Sequence, residues 1–258
     1  MIDVLLFSFG VLVIFAIGLW GISVALRDVS IVDPCWGLGF ILVAAVTALR
    51  LDQFGPRGYL MIGLVTVWGG RLSAYLFWRH WGAGEDYRYA EMRAHHGARF
   101  WWISLGTVFL LQAIILWFVS WPVQAALVSS SQSLSGLDGV GVLVWTIGFF
   151  FEAVGDYQLA SFLRSRTSRE QVLDRGLWRY TRHPNYFGDF CVWWGLYLVA
   201  AAGGGGWTIL SPLLMSVLLI YVSGVRLTEK TIEDRRPAYR AYKRSTSAFF
   251  PLPPQELD

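Results

Sequence analysis

The chain has 258 residues, of which 55% are hydrophobic and only 15% charged, against roughly 25% charged in soluble domains. So few charges cannot cover the surface of a water-soluble domain of this length, which excludes a soluble globular protein. The net charge of +3 and the absence of basic runs interleaved with aromatics give no nucleic-acid partner, and Cys35 and Cys191 form neither a CxxC motif nor a disulfide framework.

Seven apolar runs follow one another, each near the length that spans hydrocarbon. The first, Ile2 to Leu26, lacks a basic leader and a small-residue cleavage site, so it reads as a retained helix. The others run from Asp33 to Leu49, Gly58 to Trp78, Phe100 to Val128, Leu137 to Leu163, Tyr186 to just before Gly203, and Trp207 to about Leu227. The four glycines Gly203 to Gly206 read as a tight turn and Ser129 to Ser135 as a loop. There is no internal repeat and no Pro-rich linker. The expected fold is therefore all-α: about seven transmembrane helices in one bundle, with residues 1–258 forming a single integral-membrane domain. Every Lys and Arg except Arg50, Arg57 and Arg71 falls on the side of the C-terminal tail. That asymmetry places the N-terminus outside and the C-terminus in the cytoplasm.

Ionisable residues at bilayer depth cost several kcal/mol, roughly 3 on insertion scales, and so are informative. Asp33 opens the second run and Arg71 lies in the third. Glu152 and Asp156 stand four apart in the fifth run, hence on one helical face, and Asn185 and Asp189 repeat the spacing in the sixth. Arg226 and Lys230 do so near the end of the seventh, beside Glu229 and Glu233. These residues either pair among themselves to hold a bundle or line one water-accessible cavity. The segment Asp174 to Asp189 is the richest. Pro184 suits a helix first turn, a helix N-terminus favours an anion, and Arg175, Arg179 and Arg182 offer forked donors. Trp178 and Tyr186 offer flat faces. The pattern fits both a nucleotide diphosphate and anionic lipid headgroups. The four histidines, with His95 and His96 adjacent, have no metal-ligand spacing, and no Walker, GxGxxG or GxSxG motif occurs.

Gly176-Leu177-Trp178, followed by Arg182-His183-Pro184-Asn185-Tyr186-Phe187-Gly188-Asp189, resembles the signature of membrane-embedded steroid 5-alpha-reductases and sterol reductases. More closely, the chain is similar to the bacterial branch of that superfamily known as DUF1295. The segments Val32 to Trp36, Trp68 to Leu72, Glu85 to Tyr89, Gly155 to Gln158 and Tyr239 to Pro251 all fit, so the resemblance covers nearly the whole chain. It implies seven helices in a bacterial inner membrane and NADPH held near the cytosolic end. It also implies hydride transfer to the double bond of a 3-oxo-Δ4 steroid or another lipid-soluble enone.

Carried over position by position, the resemblance makes Asp156, Asn185 and Arg226 cofactor-holding residues. Asp189 stands where other members have Glu, Lys230 where they have His, and Glu152 where they have Asn. A carboxylate would repel phosphate, so Glu152 is expected on the ribose or the nicotinamide amide. Trp178, Arg182, His183, Tyr186 and Tyr239 complete the expected NADPH site. In the family a Glu and a Tyr polarise the steroid ketone. Asp33 aligns with that Glu, Trp68 falls where the Tyr would be, and Tyr75 and Tyr87 are the candidates to replace it. A phenol or a protonated carboxylic acid aimed at the ketone oxygen would stabilise the charge that develops there. The expected partners are the enone substrate and membrane lipids, with the protein a monomer. Two rival readings are an S-adenosylmethionine-dependent lipid or isoprenoid methyltransferase of related fold and a non-enzymatic lipid-binding or transport protein.

Overall fold

In the computed structural model the described residues are 1–129, 133–168, 170–222, 224–225, 229 and 239–255, and every regular element among them is helical. Among the described residues six stretches are long and apolar enough to cross a membrane: Ile2–Leu26, Val29–Ala48, Pro56–His80, Tyr87–Val119, Gly136–Ser165 and Gly205–Val222. The sixth expected run forms the helix Pro184–Ala202, which carries Asn185 and Asp189. The chain divides into two compact units, Met1–Ser135 with Val199–Thr208, and Gly136–Leu198 with Ile209–Asp258.

In the first unit, α1 (Ile2–Leu26) ends at Arg27, whose left-handed backbone (φ 56°) lets its N–H return to the last turn. A short 3-10 turn, Val29–Val32, is capped by Asp28, which accepts from the Ser30 N–H at 2.9 Å, and leads into α2 (Cys35–Ala48). The helix α3 (Pro56–His80) starts on a proline, and α4 (Tyr87–His96) is capped by the Asp86 carboxylate on the Arg88 N–H. The fourth apolar run is not one helix. It comprises α5 (Phe100–Ser104), a π-helical turn Leu105–Leu110, α6 (Leu111–Val119), and after Ser120 a separate helix α7 (Trp121–Val128). Pro122, with no N–H to give, suits the first turn of α7.

The helices α2 and α3 touch backbone to backbone, because a methyl group added at Gly69 would lie 2.6 Å from the Gly37 carbonyl oxygen. Around that contact Phe40, Val43, Met61, Val65 and Trp68 are buried, with Trp68 against Phe40 at 5.6 Å. Trp68 is thus core. Arg57, expected on an outer loop, is buried. It donates to the Ser133 carbonyl at 3.0 Å and to the Ser129 hydroxyl, which in turn donates to the Gly203 carbonyl.

In the second unit, α8 (Gly136–Ser165) packs antiparallel on α9 (Pro184–Ala202) along glycines seven residues apart. A methyl at Gly195 would meet the Trp145 N at 2.6 Å, one at Gly148 the Gly188 carbonyl at 2.5 Å, and one at Gly155 the Asn185 N at 3.2 Å. Only glycine permits this approach, and it sets the polar residues of α8 against the start of α9. The unit also contains α10 (Leu210–Val217), a π-helical turn Leu218–Val222, and the C-terminal helix α11 (Tyr239–Ser245).

Candidate functional site

Each unit holds one cluster of polar side chains against a cavity. In the second unit the Gly176–Arg179 turn is fixed from α8. The Gln158 side chain accepts the Leu177 N–H at 3.0 Å, and the Trp178 indole donates to the Gly155 carbonyl at 3.1 Å. Trp178 is buried with Phe162 and Leu173. A cavity of about 150 Å3 opens beside it, lined by Trp178, Arg182, His183, Asn185, Tyr186 and Tyr239 among others. The structure therefore brings together six residues that the sequence assigned to the cofactor.

Their electrostatics differ from the expectation of free forked donors. Arg182 reaches Glu229 through Nε at 2.7 Å and through its terminal nitrogen at 3.1 Å. Its other nitrogen donates to the carbonyls of Lys243 (3.0 Å) and Thr246 (2.5 Å). His183 Nε2 lies 3.1 Å from the same Glu229 oxygen, and the Tyr239 hydroxyl donates to it at 3.1 Å. Burial pushes the Glu229 carboxyl up, but hydrogen bonds from His183 and Arg182 and their charge outweigh it and hold the group at about 2. Burial, reinforced by the Glu229 charge, pushes the Tyr239 hydroxyl up. Burial likewise raises Tyr242, whose hydroxyl donates to the Trp178 carbonyl. Arg182 is thus a clasp: with the Thr181 hydroxyl on the Phe249 carbonyl and the Leu252 N–H on the Tyr180 carbonyl, it ties the C-terminal segment to the loop before α9. Arg175 and Arg179 remain exposed, and the ring of Tyr186 lies parallel to His183 at 5.2 Å.

Beneath the cavity floor Asn185 donates its amide to Asp156 at 3.1 Å. Asp156 and Glu152 are both buried on the α8 face toward α9, Glu152 next to Gly188. Asp189 lies one turn further along α9. Arg226 and Lys230 lie outside the described residues. Glu229 and Tyr242 received no role from the sequence. Glu229 was visible beside Arg226 and Lys230, but nothing in the local spacing paired it with Arg182, 47 positions away.

The second cluster, in the first unit, is built by stitching the segment before α4 onto the 3-10 turn. The Ser30 hydroxyl accepts the Asp86 N–H at 2.6 Å and Glu85 accepts the Val29 N–H at 3.0 Å. Burial pushes Glu85 up, but its two hydrogen bonds from Arg93, at 2.7 and 2.8 Å, leave it below the usual carboxylate range. This junction lays the first turn of α4 on Asp33. Arg88 donates to one Asp33 oxygen at 2.7 Å, the Tyr89 hydroxyl donates to the other at 2.7 Å, and Arg88 Nε also holds Asp86 at 2.8 Å. Gln112 on α6 donates to the Tyr89 oxygen at 3.4 Å and accepts from the Trp36 indole at 2.5 Å. Trp36 and Gln112 also border a small, otherwise apolar cavity with Leu12, Val32, Cys35 and Phe109. A hydrogen-bonded chain thus runs from an apolar pocket to the half-buried Asp33.

The tyrosine on Asp33 is Tyr89. Tyr87, two positions earlier, is 58% exposed, and Tyr75 sits on α3 beside Trp78 with the Arg71 and Arg79 guanidinium groups over its ring. Tyr89 lies within the Glu85 to Tyr89 segment that carries the resemblance, and the Asp86 cap was the signal that would have selected it. With Asp86 at the cap, residue 89 is the third helical position, turned away from the direction of residue 87.

A family model described as "Protein of unknown function (DUF1295)" matches residues 19–246. A curated relative, the "Uncharacterized protein C594.04c" of Schizosaccharomyces pombe, is 27% identical over 278 residues, covering 95% of this chain and 79% of the relative. No solved structure matches.

Proposed function

We propose that the chain, which belongs to the DUF1295 family, is a membrane-embedded reductase that uses NADPH to saturate the carbon–carbon double bond of a lipid-soluble enone, such as a 3-oxo-Δ4 steroid. The observation that carries this reading is the Tyr89 hydroxyl held on Asp33, with Gln112 linking it to an apolar cavity.

Hydride addition at the β-carbon of an enone moves negative charge to the ketone oxygen, and a preorganised donor aimed there lowers the barrier. A phenol has one proton to donate. At rest Tyr89 gives it to Asp33. A ketone oxygen brought to Tyr89 would compete for that hydrogen bond, and Arg88 keeps Asp33 satisfied when Tyr89 turns away. Gln112 fixes the tyrosine oxygen from the other side, and the apolar wall excludes water that would otherwise solvate the ketone.

The residues of the second unit fit a dinucleotide in two respects. Tyr186 and Trp178 line the cavity with aromatic surface, and the Asn185–Asp156 pair supplies a donor and an acceptor suited to a ribose or a carboxamide. Exposed Arg175 and Arg179 supply charge for phosphates, while Arg182 holds the loop in shape. When bound, NADPH would supply the hydride and the α-carbon would take its proton from solvent; the protein supplies orientation and the donor for the oxygen. One observation favours the methyltransferase alternative: neutralisation of Arg182 by Glu229 leaves the cavity wall less positive than the sequence suggested, and S-adenosylmethionine has no phosphates.

The test is thermal stabilisation of the detergent-solubilised protein by NADPH, NADH and S-adenosylmethionine. A selective rise with NADPH is expected. A rise with S-adenosylmethionine alone would move the chemistry to methyl transfer. In the same assay Asp33→Ala should keep the NADPH response and lose turnover of progesterone or testosterone.

A further inference from the structure

A further cavity lies in the first unit, where α1 ends against α4 and α5, and measures about 580 Å3. Its charged lining residues are Arg27 and Arg93. Arg93 is anchored: two of its nitrogens hold Glu85, one of them also reaches the Arg27 carbonyl, and its plane lies over Phe100 at 4.8 Å. Arg27 is exposed, and among the described residues its guanidinium has no ion-pair partner. The acids nearby are already engaged, Glu85 by Arg93 and Asp28 by His80 at 2.9 Å and the Ser30 N–H. The cavity therefore presents one guanidinium, that of Arg27, with no ion-pair partner among the described residues.

The rest of the lining selects the ligand class. Val24, Val29 and Phe100 make part of the wall apolar. The rim carries Trp101, which is half exposed and stacks on Trp20 at 6.0 Å while accepting the Trp20 indole N–H at 2.7 Å. Tryptophans placed this way mark the headgroup level of a bilayer. The buried Ser23 and Ser104 donate their hydroxyls to carbonyls of their own helices, those of Trp20 and Trp101. A ligand here is an anion that carries an apolar tail. Beyond the rim, Ile22 and Leu26 extend exposed apolar surface along α1.

We propose that this cavity binds the headgroup of an anionic phospholipid of the phosphatidylglycerol kind, with its phosphate on Arg27. The site stands apart from the reductase reading: it meets the Asp33 cluster only at Val29 and Arg93, whose bonds serve Glu85, and shares no residue with the cavity near Trp178.

Native mass spectrometry of the purified full chain tests it, by titration with phosphatidylglycerol and phosphatidylcholine of matched acyl chains. The wild type should retain phosphatidylglycerol in preference. Arg27→Asn should weaken that retention about fivefold, one basic side chain's share of anionic-lipid affinity, without changing phosphatidylcholine retention. Asparagine tolerates the left-handed backbone at this position, and an unchanged melting temperature confirms that the fold is intact. Arg50→Gln, a substitution far from the cavity in sequence and in no contact with it, should change nothing. Equal retention of both lipids, or an Arg27→Asn variant that binds like the wild type, would overturn the proposal. Displacement of phosphatidylglycerol by millimolar inorganic phosphate would assign the site to soluble phosphate and overturn it as well.

Discussion

The two polar clusters are made of the same side chains, an arginine, a carboxylate and a tyrosine, yet they are wired in opposite directions. In the second unit Arg182, Glu229, His183 and Tyr239 converge on one another, and the remaining arginine donors go to carbonyls of the C-terminal segment. Every strong donor faces inward, and the cluster holds the loop that shapes the cavity. In the first unit Arg88 splits its donors between Asp33 and Asp86, which leaves Tyr89 joined to Asp33 by one hydrogen bond and bordered by Gln112. That tyrosine can exchange its partner without leaving a buried charge unpaired. The comparison separates a clasp from the proposed donor by what each group leaves behind when it moves.

The largest effects should come from breaking the clasp. Removing one partner of a buried ion pair strands the other, at about 3 kcal/mol or more. Glu229→Gln and Arg182→Ala should each lower the melting temperature in detergent and expose the C-terminal segment to limited proteolysis. The pH dependence has a definite sign. Glu229 is held at about 2 against its ordinary value of 4.5, so its contribution is complete above 4.5. It is lost as pH falls from 4.5 through 2. Glu229→Gln should flatten the acid limb of a melting-temperature profile in that window.

Next comes the donor. Tyr89→Phe removes only a hydroxyl and should cut enone turnover about 100-fold, with the melting temperature and the NADPH response nearly unchanged. A smaller effect is expected at the helix seam. Gly188→Ala forces a methyl against the Glu152 N–H and the Gly148 carbonyl, which should cost about 1–3 kcal/mol, read as a lower melting temperature and weaker cofactor stabilisation. The smallest effect belongs to Tyr87→Phe, within about 0.5 kcal/mol for an exposed side chain and with turnover unaltered. If Tyr87→Phe matches Tyr89→Phe in lost turnover, the assignment of the donor fails.

Much of this was legible in the sequence, for physical reasons that also explain the rest. The span of α1 was read residue for residue, because an uninterrupted apolar run ends at a charged Arg27. The run Phe100 to Val128 was read as one span, since continuous apolarity carries no period that would reveal the π-turn or the break at Ser120. Pro184 marked the start of α9 correctly, and the motif around it named residues that do share a cavity. The partner of Arg182 was not legible, because ion pairing between residues 47 positions apart depends on the path of the chain. Arg57 was assigned to an outer loop by its place between two apolar runs, which names no partner for it; the Ser-rich segment after α7 supplies oxygens to the buried guanidinium. The tyrosine on Asp33 is Tyr89 and not its neighbour Tyr87, a difference that the helix cap decides and composition does not.

The most direct test is an assay of the reconstituted protein that follows NADPH oxidation and the saturated ketone together, for wild type and Tyr89→Phe. The account predicts equal amounts of NADP+ and saturated product from the wild type with progesterone or a simpler enone lipid. It predicts about 100-fold less from Tyr89→Phe, with NADPH stabilisation retained. Enone-independent NADPH consumption, or a Tyr89→Phe variant as active as the wild type, would contradict it.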